Sequence, residues 1–274
     1  MLLPDDRRPH HLLLSPSRFC AYSLGDWIGA CQRAGIPHVP AMHVADFEPH
    51  DILRHDEAGP HQPRLDAAYE AVRRAATPGW MLRWDCCASA DLKFSMGEGR
   101  KPGGNTLRTL PIDSRILELV WDYPRVVVPV WRRPWIGEQM IFADGYPVEY
   151  RAFVQNGKLI GISSYYPQRP LPRNDEHLAA IEKHVHALLE ELEGPFEWPA
   201  AHGKAMGIRT AAPTLAGKEP PAGTPHPDGV HFTADFAATT LGMLFLEGGP
   251  PHFMGAHPCC FQPGRIQGVA LEAQ

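Results

Sequence analysis

The chain has 274 residues and a formal net charge of −5, which argues against a broad nucleic-acid-binding face and leaves room for a local basic groove. It contains no run that is long and apolar enough to predict a membrane span. The first residues include acids and a proline where a signal peptide has basic and apolar segments, so we expect a cytoplasmic protein.

Six cysteines are present, and without a secretory signal the better interpretation is free thiols rather than disulfides. The adjacent pairs Cys86-Cys87 and Cys259-Cys260, with His252 and His257 close to the second pair, leave a zinc site as an alternative. The spacing lacks the two-residue gap of a zinc knuckle, so zinc is the weaker interpretation.

Residues 1–76 are predicted to form a small N-terminal α/β domain. The apolar run Leu12–Leu14 predicts a strand, residues 24–34 carry apolar side chains at helical spacing, and Ile36–Val39 predicts a second strand. This alternation of strand, helix and strand is typical of an α/β domain. Residues 64–75 predict a second helix.

Residues 77–130 are predicted to form a strand-rich central lobe. Trp80–Trp84 and Arg125–Trp131 predict strands, and the glycine-rich run at 97–105 predicts a loop. Arg83 lies inside an apolar strand, where a charge without a partner is costly. We therefore expect a phosphate group to supply the partner of Arg83.

Residues 131–274 are predicted to form a C-terminal lobe. Asn156-Gly157 predicts a hairpin turn, and residues 176–193 carry one apolar stripe that predicts a helix. The remaining predicted elements of this lobe are five strands, at Glu138–Phe142, Val148–Val154, Leu159–Tyr166, Val230–Phe236 and Met243–Glu247.

Two groups of charged residues in this lobe could support chemistry. Glu149, Arg151 and Phe153 alternate along one strand and therefore point to one face, although a solvated face with a salt bridge is an equal alternative. Asp235 and Glu247 each close an apolar strand, and two carboxylates brought together need a cation such as Mg²⁺. Two separate surface acids are the alternative for this pair.

The order of these parts resembles the ATP-grasp superfamily. It runs from a basic strand and a glycine loop through a hinge strand to Glu-Tyr-Arg-Ala-Phe-Val with its Asn-Gly turn, then to an aspartate and Leu-Glu-Gly-Gly. The resemblance covers roughly residues 79–255 and is nearest to a small group that includes proteins similar to a eukaryotic assembly factor of translation initiation. It implies two α+β lobes that hold Mg-ATP between them.

The resemblance also implies roles for the matching residues. Arg83 and Lys93 would contact the α- and β-phosphates, and Arg151 would meet the γ-phosphate as the catalytic residue. The backbone at a strand end formed by Val130 and Trp131 would read adenine.

The acidic residues complete the implied site. Glu149 is counted with the ATP-binding residues, and Asp235 and Glu247 would hold Mg²⁺. The family usually has an asparagine two residues after that glutamate, where this chain has Gly249. This departure leaves a second metal ion, and catalysis itself, open.

Two functions are compatible with this pattern. One is an ATP-dependent ligase that joins a carboxylate to an amine, of small molecules or peptides, through an acyl phosphate. The other is an ATP-binding assembly factor or peptide-binding module of the same fold without ligase activity, which Gly249 favours slightly. Covalent nucleotidyl transfer needs a lysine nucleophile, usually in Lys-x-Asp-Gly, and the chain has no such run.

Overall fold

The structure is a computed structural model that describes part of each predicted lobe. The described residues are 23–48, 62–86, 127–155, 157–166, 171–192, 230, 232–249, 264–266 and 269–271. They form a mixed α+β fold with antiparallel sheets, which confirms the predicted class. No helix in these ranges is long and apolar enough to cross a membrane.

A three-stranded sheet is built from strands that are far apart in sequence. Its order is β1 (Met42–Phe47), β3 (Val128–Pro134) and β2 (Trp80–Trp84), with both pairings antiparallel. Helix α2 (Gln62–Ala75) covers one face of this sheet. The core between them is formed by Ala45, Phe47, Leu65, Val72, Ala75, Leu82, Trp84, Cys86, Val128 and Val130.

A four-stranded sheet forms the larger layer. Its order is β7 (Lys158–Ser164), β6 (Glu149–Gln155), β8 (Phe232–Thr239) and β9 (Gly242–Gly249). The predicted hairpin between β6 and β7 is confirmed, with Gly157 at a positive φ of 69° that glycine adopts without strain. A short pair of strands, β10 (Gly264–Ile266) and β11 (Val269–Leu271), completes the described sheets.

Two helices pack on one face of the four-stranded sheet. Helix α1 (Leu24–Arg33) begins at Ser23, whose hydroxyl accepts a hydrogen bond from the Asp26 amide. Helix α3 (Asp175–Glu191) begins at Asn174, which caps it in the same way, and buries the predicted apolar stripe. Both helices are therefore confirmed, within a residue or two of the predicted bounds.

Three short segments differ from the predictions. Ile36–Val39 is not a strand but makes one parallel bridge, from His38 to Phe245, because Pro37 within the segment and Pro40 directly after it lack backbone donors. Glu138–Phe142 begins in a turn, forms an isolated bridge from Met140 to Thr239, and leads into β4 (Phe142–Ala143), which is followed by β5 (Tyr146–Pro147). Strand β1 itself was not predicted. The division at residues 76 and 130 stays a prediction, although β1 pairs with β3 across it.

Gly248 and Gly249 are adjacent but differ in the space around them. A Cβ at Gly248 would overlap the indole of the buried Trp27, whereas at Gly249 the nearest atom would be Thr233 Oγ1 at 3.7 Å. We expect Gly248→Ala to lower the free energy of unfolding by about 1–3 kcal/mol, as overpacking does. Urea unfolding measures this, with Gly249→Ala as the matched control. Equal losses in both variants would contradict the steric explanation.

Candidate functional site

A row of polar side chains crosses the four-stranded sheet. Ser163 on β7 lies opposite Arg151 on β6, Arg151 lies opposite Asp235 on β8, and Asp235 lies opposite Glu247 on β9. Directly opposed residues share a face, with Cβ atoms roughly 4.5–5.5 Å apart. The row lies on the face away from α1 and α3, because Tyr150 and the other alternating residues belong to the core under those helices.

Arg151 and Asp235 form a bidentate ion pair in the middle of this row. Arg151 Nε donates to Oδ1 and Nη2 donates to Oδ2, both at 2.7 Å, and the two side chains are 14% and 4% exposed. Burial alone would lower the pKa of Arg151, but the Asp235 carboxylate outweighs it and raises that pKa. The guanidinium also lies 4.7 Å from the centre of the Tyr165 ring. Arg151 is therefore a fixed cation.

Arg83 and Glu247 join the two sheets. Arg83 is buried on β2, where its Nη1 donates to Glu247 Oε2 and its Nε donates to the Trp84 carbonyl at 3.1 Å. Arg133 on β3 makes a parallel link, because its Nη2 donates to the Val39 carbonyl at 2.7 Å. We call the contact formed by Arg83, Arg133, Val39 and Glu247 the seam. Arg83 has the expected anionic partner, but here that partner is a carboxylate of the chain.

Glu149 adds a third carboxylate next to the row. It is 4% exposed, and Tyr166 Oη donates to its Oε2 at 3.3 Å. Its pKa is raised well above the ordinary value, first by burial and then by the negative charges of Asp235 and Glu247. Burial and the two neighbouring carboxylates therefore disfavour the ionised form of Glu149.

Two of the predicted metal ligands lie elsewhere in their strands than expected. Asp235 is in the middle of β8, and β9 continues for two residues beyond Glu247, so neither carboxylate closes its strand. A bulge between Asp235 and Phe236 still places Asp235 opposite Glu247, which confirms that the two acids are neighbours. The sequence could not show that each acid also has an arginine partner.

A second row crosses the three-stranded sheet. His43 on β1 lies opposite Trp131 on β3, and Trp131 lies opposite Arg83 on β2. Because Leu82 and Val130 belong to the core under α2, this row lies on the other face, the one that meets the four-stranded sheet at Glu247. The two rows therefore meet at the seam.

Val130 and Trp131 do not form the predicted strand end. Strand β3 continues to Pro134, because Arg132 pairs with both neighbouring strands and Arg133 pairs with Met81. Val130 is fully buried in the core, and Trp131 Nε1 donates to Asp85 Oδ1 at 2.6 Å. Recognition of adenine by the backbone of Val130 and Trp131 stays a prediction.

Asp85 is a buried carboxylate beside the second row. Its Oδ1 accepts from the Gly25 amide at 3.1 Å as well as from Trp131, and its Oδ2 has no hydrogen-bond partner in the part of the chain that the structure describes. Burial is the largest cause that raises the pKa of Asp85, to about 6. The carboxylate thus gains its negative charge at a higher pH in the folded protein than in the unfolded chain.

The difference between the pKa of Asp85 in the folded protein and in the unfolded chain predicts a pH-dependent loss of stability. Between pH 3.8 and about 6 the unfolded chain releases the Asp85 proton and the folded protein keeps it, so stability falls as pH rises. The loss is on the order of 3 kcal/mol. We expect Asp85→Asn to gain stability relative to the parent protein across this window, measured by urea unfolding at several pH values. A constant difference between the two proteins would show that Asp85 does not titrate there.

The carboxylates of the first row fit a magnesium ion chemically. Asp235, Glu247 and Glu149 offer oxygen donors, which Mg²⁺ prefers, and a divalent cation would relieve the repulsion that raises the pKa of Glu149. Asp235 and Glu247 would be the residues that hold it. Within the described ranges, no group of three or more His, Cys, Asp and Glu side chains surrounds a common metal position.

Several predicted residues cannot be placed. Lys93, the glycine-rich loop, His252, His257 and the cysteines other than Cys31 and Cys86 lie outside the described residues. Cys31 and Cys86 are buried free thiols, as predicted, and burial raises the pKa of Cys31 to about 12.

The sequence reasoning missed Tyr165, Tyr166 and Arg133. The signal for Arg133 was available, since it is a charge inside an apolar strand, as Arg83 is. The two tyrosines follow directly after β7, and no local pattern links them to Arg151 and Glu149.

Comparison with known proteins gives similarity in fold. No family model matches the chain, and no curated protein matches its sequence. The chain is similar to C-terminally truncated Cdc123 from Schizosaccharomyces pombe, with 14% identity over 85% of this chain and 84% of that one, at a TM-score of 0.44.

Two further solved structures are similar to the chain. D-alanine–D-alanine ligase from Helicobacter pylori has 11% identity over 84% of this chain and 51% of that one, at a TM-score of 0.39. A RimK domain ATP-grasp protein from Sphaerobacter thermophilus has 12% identity over 84% of this chain and 58% of that one, at a TM-score of 0.36. The chain spans between half and three fifths of the length of these two proteins.

Proposed function

We propose that the chain binds Mg-ATP between its three-stranded and four-stranded sheets and uses it to join a carboxylate to an amine. The observation that supports this proposal is the meeting of the two polar rows at the seam. Arg83 comes from one sheet and Arg151 from the other, and each guanidinium is buried against a carboxylate. The arrangement provides cations for phosphates and carboxylates for a metal ion within one desolvated region.

Internal ion pairs already balance the buried charges of the proposed site. In the described structure Glu247 neutralises Arg83 and Asp235 neutralises Arg151. Phosphate oxygens bind arginine in the same bidentate way as carboxylates do. The phosphates of ATP would therefore replace Glu247 and Asp235 as the partners of the two guanidiniums. Mg²⁺, when bound, neutralises phosphate charge and would be held by the carboxylates, so the charge balance is kept.

The proposed chemistry needs no protein nucleophile. A substrate carboxylate oxygen attacks the γ-phosphorus, the bond from that phosphorus to the β–γ bridging oxygen breaks, and ADP leaves. The amine nitrogen then attacks the acyl carbon, the carbon–oxygen bond to phosphate breaks, and inorganic phosphate and a proton leave. Arg151 stabilises the charge that develops on the transferred phosphoryl group, while Arg83 holds the phosphates of the leaving ADP.

Phosphate release tests this proposal. The protein is incubated with Mg-ATP and pooled carboxylates, with and without pooled amines, and both ADP and joined products are measured by mass spectrometry. We expect ADP formation that depends on a carboxylate and a condensed product that depends on an amine. Nucleotide binding with no ADP formation in any pool would instead support the second candidate function.

That second candidate is an ATP-binding assembly factor or peptide-binding module without ligase activity. Gly249 is the observation that favours it, because the position lacks the asparagine that would help to hold a metal ion. Packing does not impose this glycine, since a Cβ there would lie 3.7 Å from Thr233 Oγ1, an ordinary contact. The missing side chain can therefore be restored.

Gly249→Asn is expected to strengthen the magnesium dependence of ATP binding, because it adds an oxygen donor two residues from Glu247. A magnesium titration of ATP affinity measures the effect, and we expect the half-saturating Mg²⁺ concentration to fall by about tenfold, the equivalent of one added ligand interaction of about 1.4 kcal/mol. Gly249→Ala is the control for the loss of glycine. An unchanged titration would show that this position does not face the metal.

A further inference from the structure

Arg133 is a buried arginine to which the proposed chemistry gives no part. Its side chain lies on β3 and the residue is 4% exposed. Nη2 donates to the Val39 carbonyl at 2.7 Å, and Nε is buried with no hydrogen-bond partner among the described residues. Among the salt bridges of the described residues, Arg83, Arg151 and five exposed arginines each have a carboxylate partner, whereas the neighbouring Arg132 and Arg133 have none.

Arg133 and Arg83 point into the same seam. Arg133 lies opposite Met81 on β2, two residues before Arg83, so the two arginines alternate onto one face of the sheet. Burial is the main cause that lowers the pKa of Arg133, to about 9, followed by the positive charge of Arg83, whereas Glu247 acts to raise it. Arg133 is therefore still a cation at neutral pH, and two guanidiniums share the single carboxylate of Glu247.

This arrangement has more positive charge than the seam itself neutralises. A buried donor without a partner costs free energy, and native proteins rarely keep one unless a ligand or an ordered water completes it. If the only role of Arg133 were to donate a hydrogen bond to the Val39 carbonyl, a neutral donor would be sufficient. The excess positive charge, together with an Nε that has no partner among the described residues, instead suits a polyanion, because the oxygens of a polyanion can accept hydrogen bonds from both guanidiniums at once.

We infer that Arg133 is a second anion-binding residue of the seam and contacts the phosphate chain of the bound nucleotide together with Arg83. That this anion is a nucleotide rests on the proposed function. The anion itself does not, because any linear polyphosphate presents the same oxygens. Inorganic tripolyphosphate can therefore separate the two proposals.

The chain offers a matched control for this test. Arg132 directly precedes Arg133 on β3 and points to the opposite face, where its guanidinium lies 3.8 Å from the centre of the Trp80 ring and Nη2 donates to Thr77 Oγ1. Its Nε is also buried without a hydrogen-bond partner within the described ranges. Arg132→Met removes the same functional group from the same strand but away from the seam.

The experiment compares the affinities of the parent protein, Arg133→Met and Arg132→Met for Mg-ATP and for tripolyphosphate by calorimetric titration. We expect Arg133→Met to weaken both by about 10- to 100-fold, the range for a lost hydrogen bond to a charged group, and Arg132→Met to leave both within about twofold. Parent-like binding by Arg133→Met, or equal losses in the two variants, would overturn the inference. Neither result would contradict the proposal that the parent protein binds a nucleotide.

The remaining outcomes separate the two proposals. If the parent protein binds tripolyphosphate with the specific dependence on Arg133 but does not bind ATP, the anion site stands and the proposed function falls. If the parent protein binds neither, both fall. Should Arg133→Met fail to fold by circular dichroism, Arg133→Lys replaces it. Lysine keeps the charge but loses the planar fork, so a smaller loss in both affinities is expected, and none would contradict the inference.

Discussion

Replacing Arg151 with lysine is expected to lower the turnover of bound ATP about 100-fold while ATP affinity falls less, as happens when one preorganised donor to a developing charge is lost. The planar fork of Arg151 now engages both oxygens of Asp235 at 2.7 Å, and the same fork is suited to two oxygens of a transferred phosphoryl group. Lysine keeps the positive charge but presents a single ammonium. The effect should therefore appear mainly in the chemical step.

Paired measurements of ATP affinity and turnover, on protein that is folded by circular dichroism, check this result. Arg173→Lys is the matched control, because Arg173 pairs with Asp175 at the surface, also at 2.7 Å. It should leave both quantities unchanged. If Arg151→Lys instead loses affinity and turnover in the same proportion as its folded fraction, the arginine has only a structural part.

Asp235→Asn is expected to lower the free energy of unfolding by about 3–5 kcal/mol, the range for breaking a buried ion pair from one side. Asp235 is 4% exposed and supplies both acceptors for Arg151, so asparagine would leave a buried guanidinium without its counter-charge. A ligand with negative charge should restore part of the loss. Urea unfolding with and without Mg-ATP measures both effects.

The controls for this variant use a surface pair and a double replacement. Asp175→Asn removes the same group at an 80% exposed position and should cost no more than about 1 kcal/mol. Adding Arg151→Met to Asp235→Asn removes the unpaired charge as well, so the double variant should recover part of the stability. If Asp235→Asn alone is as stable as the parent protein, other groups must neutralise the charge of Arg151.

The elements that depend on local sequence were predictable. The hairpin between β6 and β7 follows from Asn156-Gly157, and α3 follows from its apolar stripe and its cap. The same alternation placed Glu149 and Arg151 on one face of β6. Asp235 and Glu247 were expected to be neighbours, and the pairing of β8 with β9 confirms it.

The partners across the seam were not predictable, because they depend on strand pairing and register. Whether Arg83 meets a phosphate or Glu247 is decided by how the two sheets pack, and no pattern along β2 contains that information. Strand β1 escaped prediction because its exposed residues, such as Met42, interrupt the alternation. Its partner β3 follows more than 80 residues later, beyond the range of any local signal.

The contact between Trp27 and Gly248 restricts how the chain can change during evolution. The indole fills the space above the backbone just after Glu247, so any side chain at position 248 needs a smaller residue at position 27. The two positions can drift only as a pair, although they are far apart in sequence. Gly249 is under no such restriction, so the two glycines of one Leu-Glu-Gly-Gly run are subject to different selection.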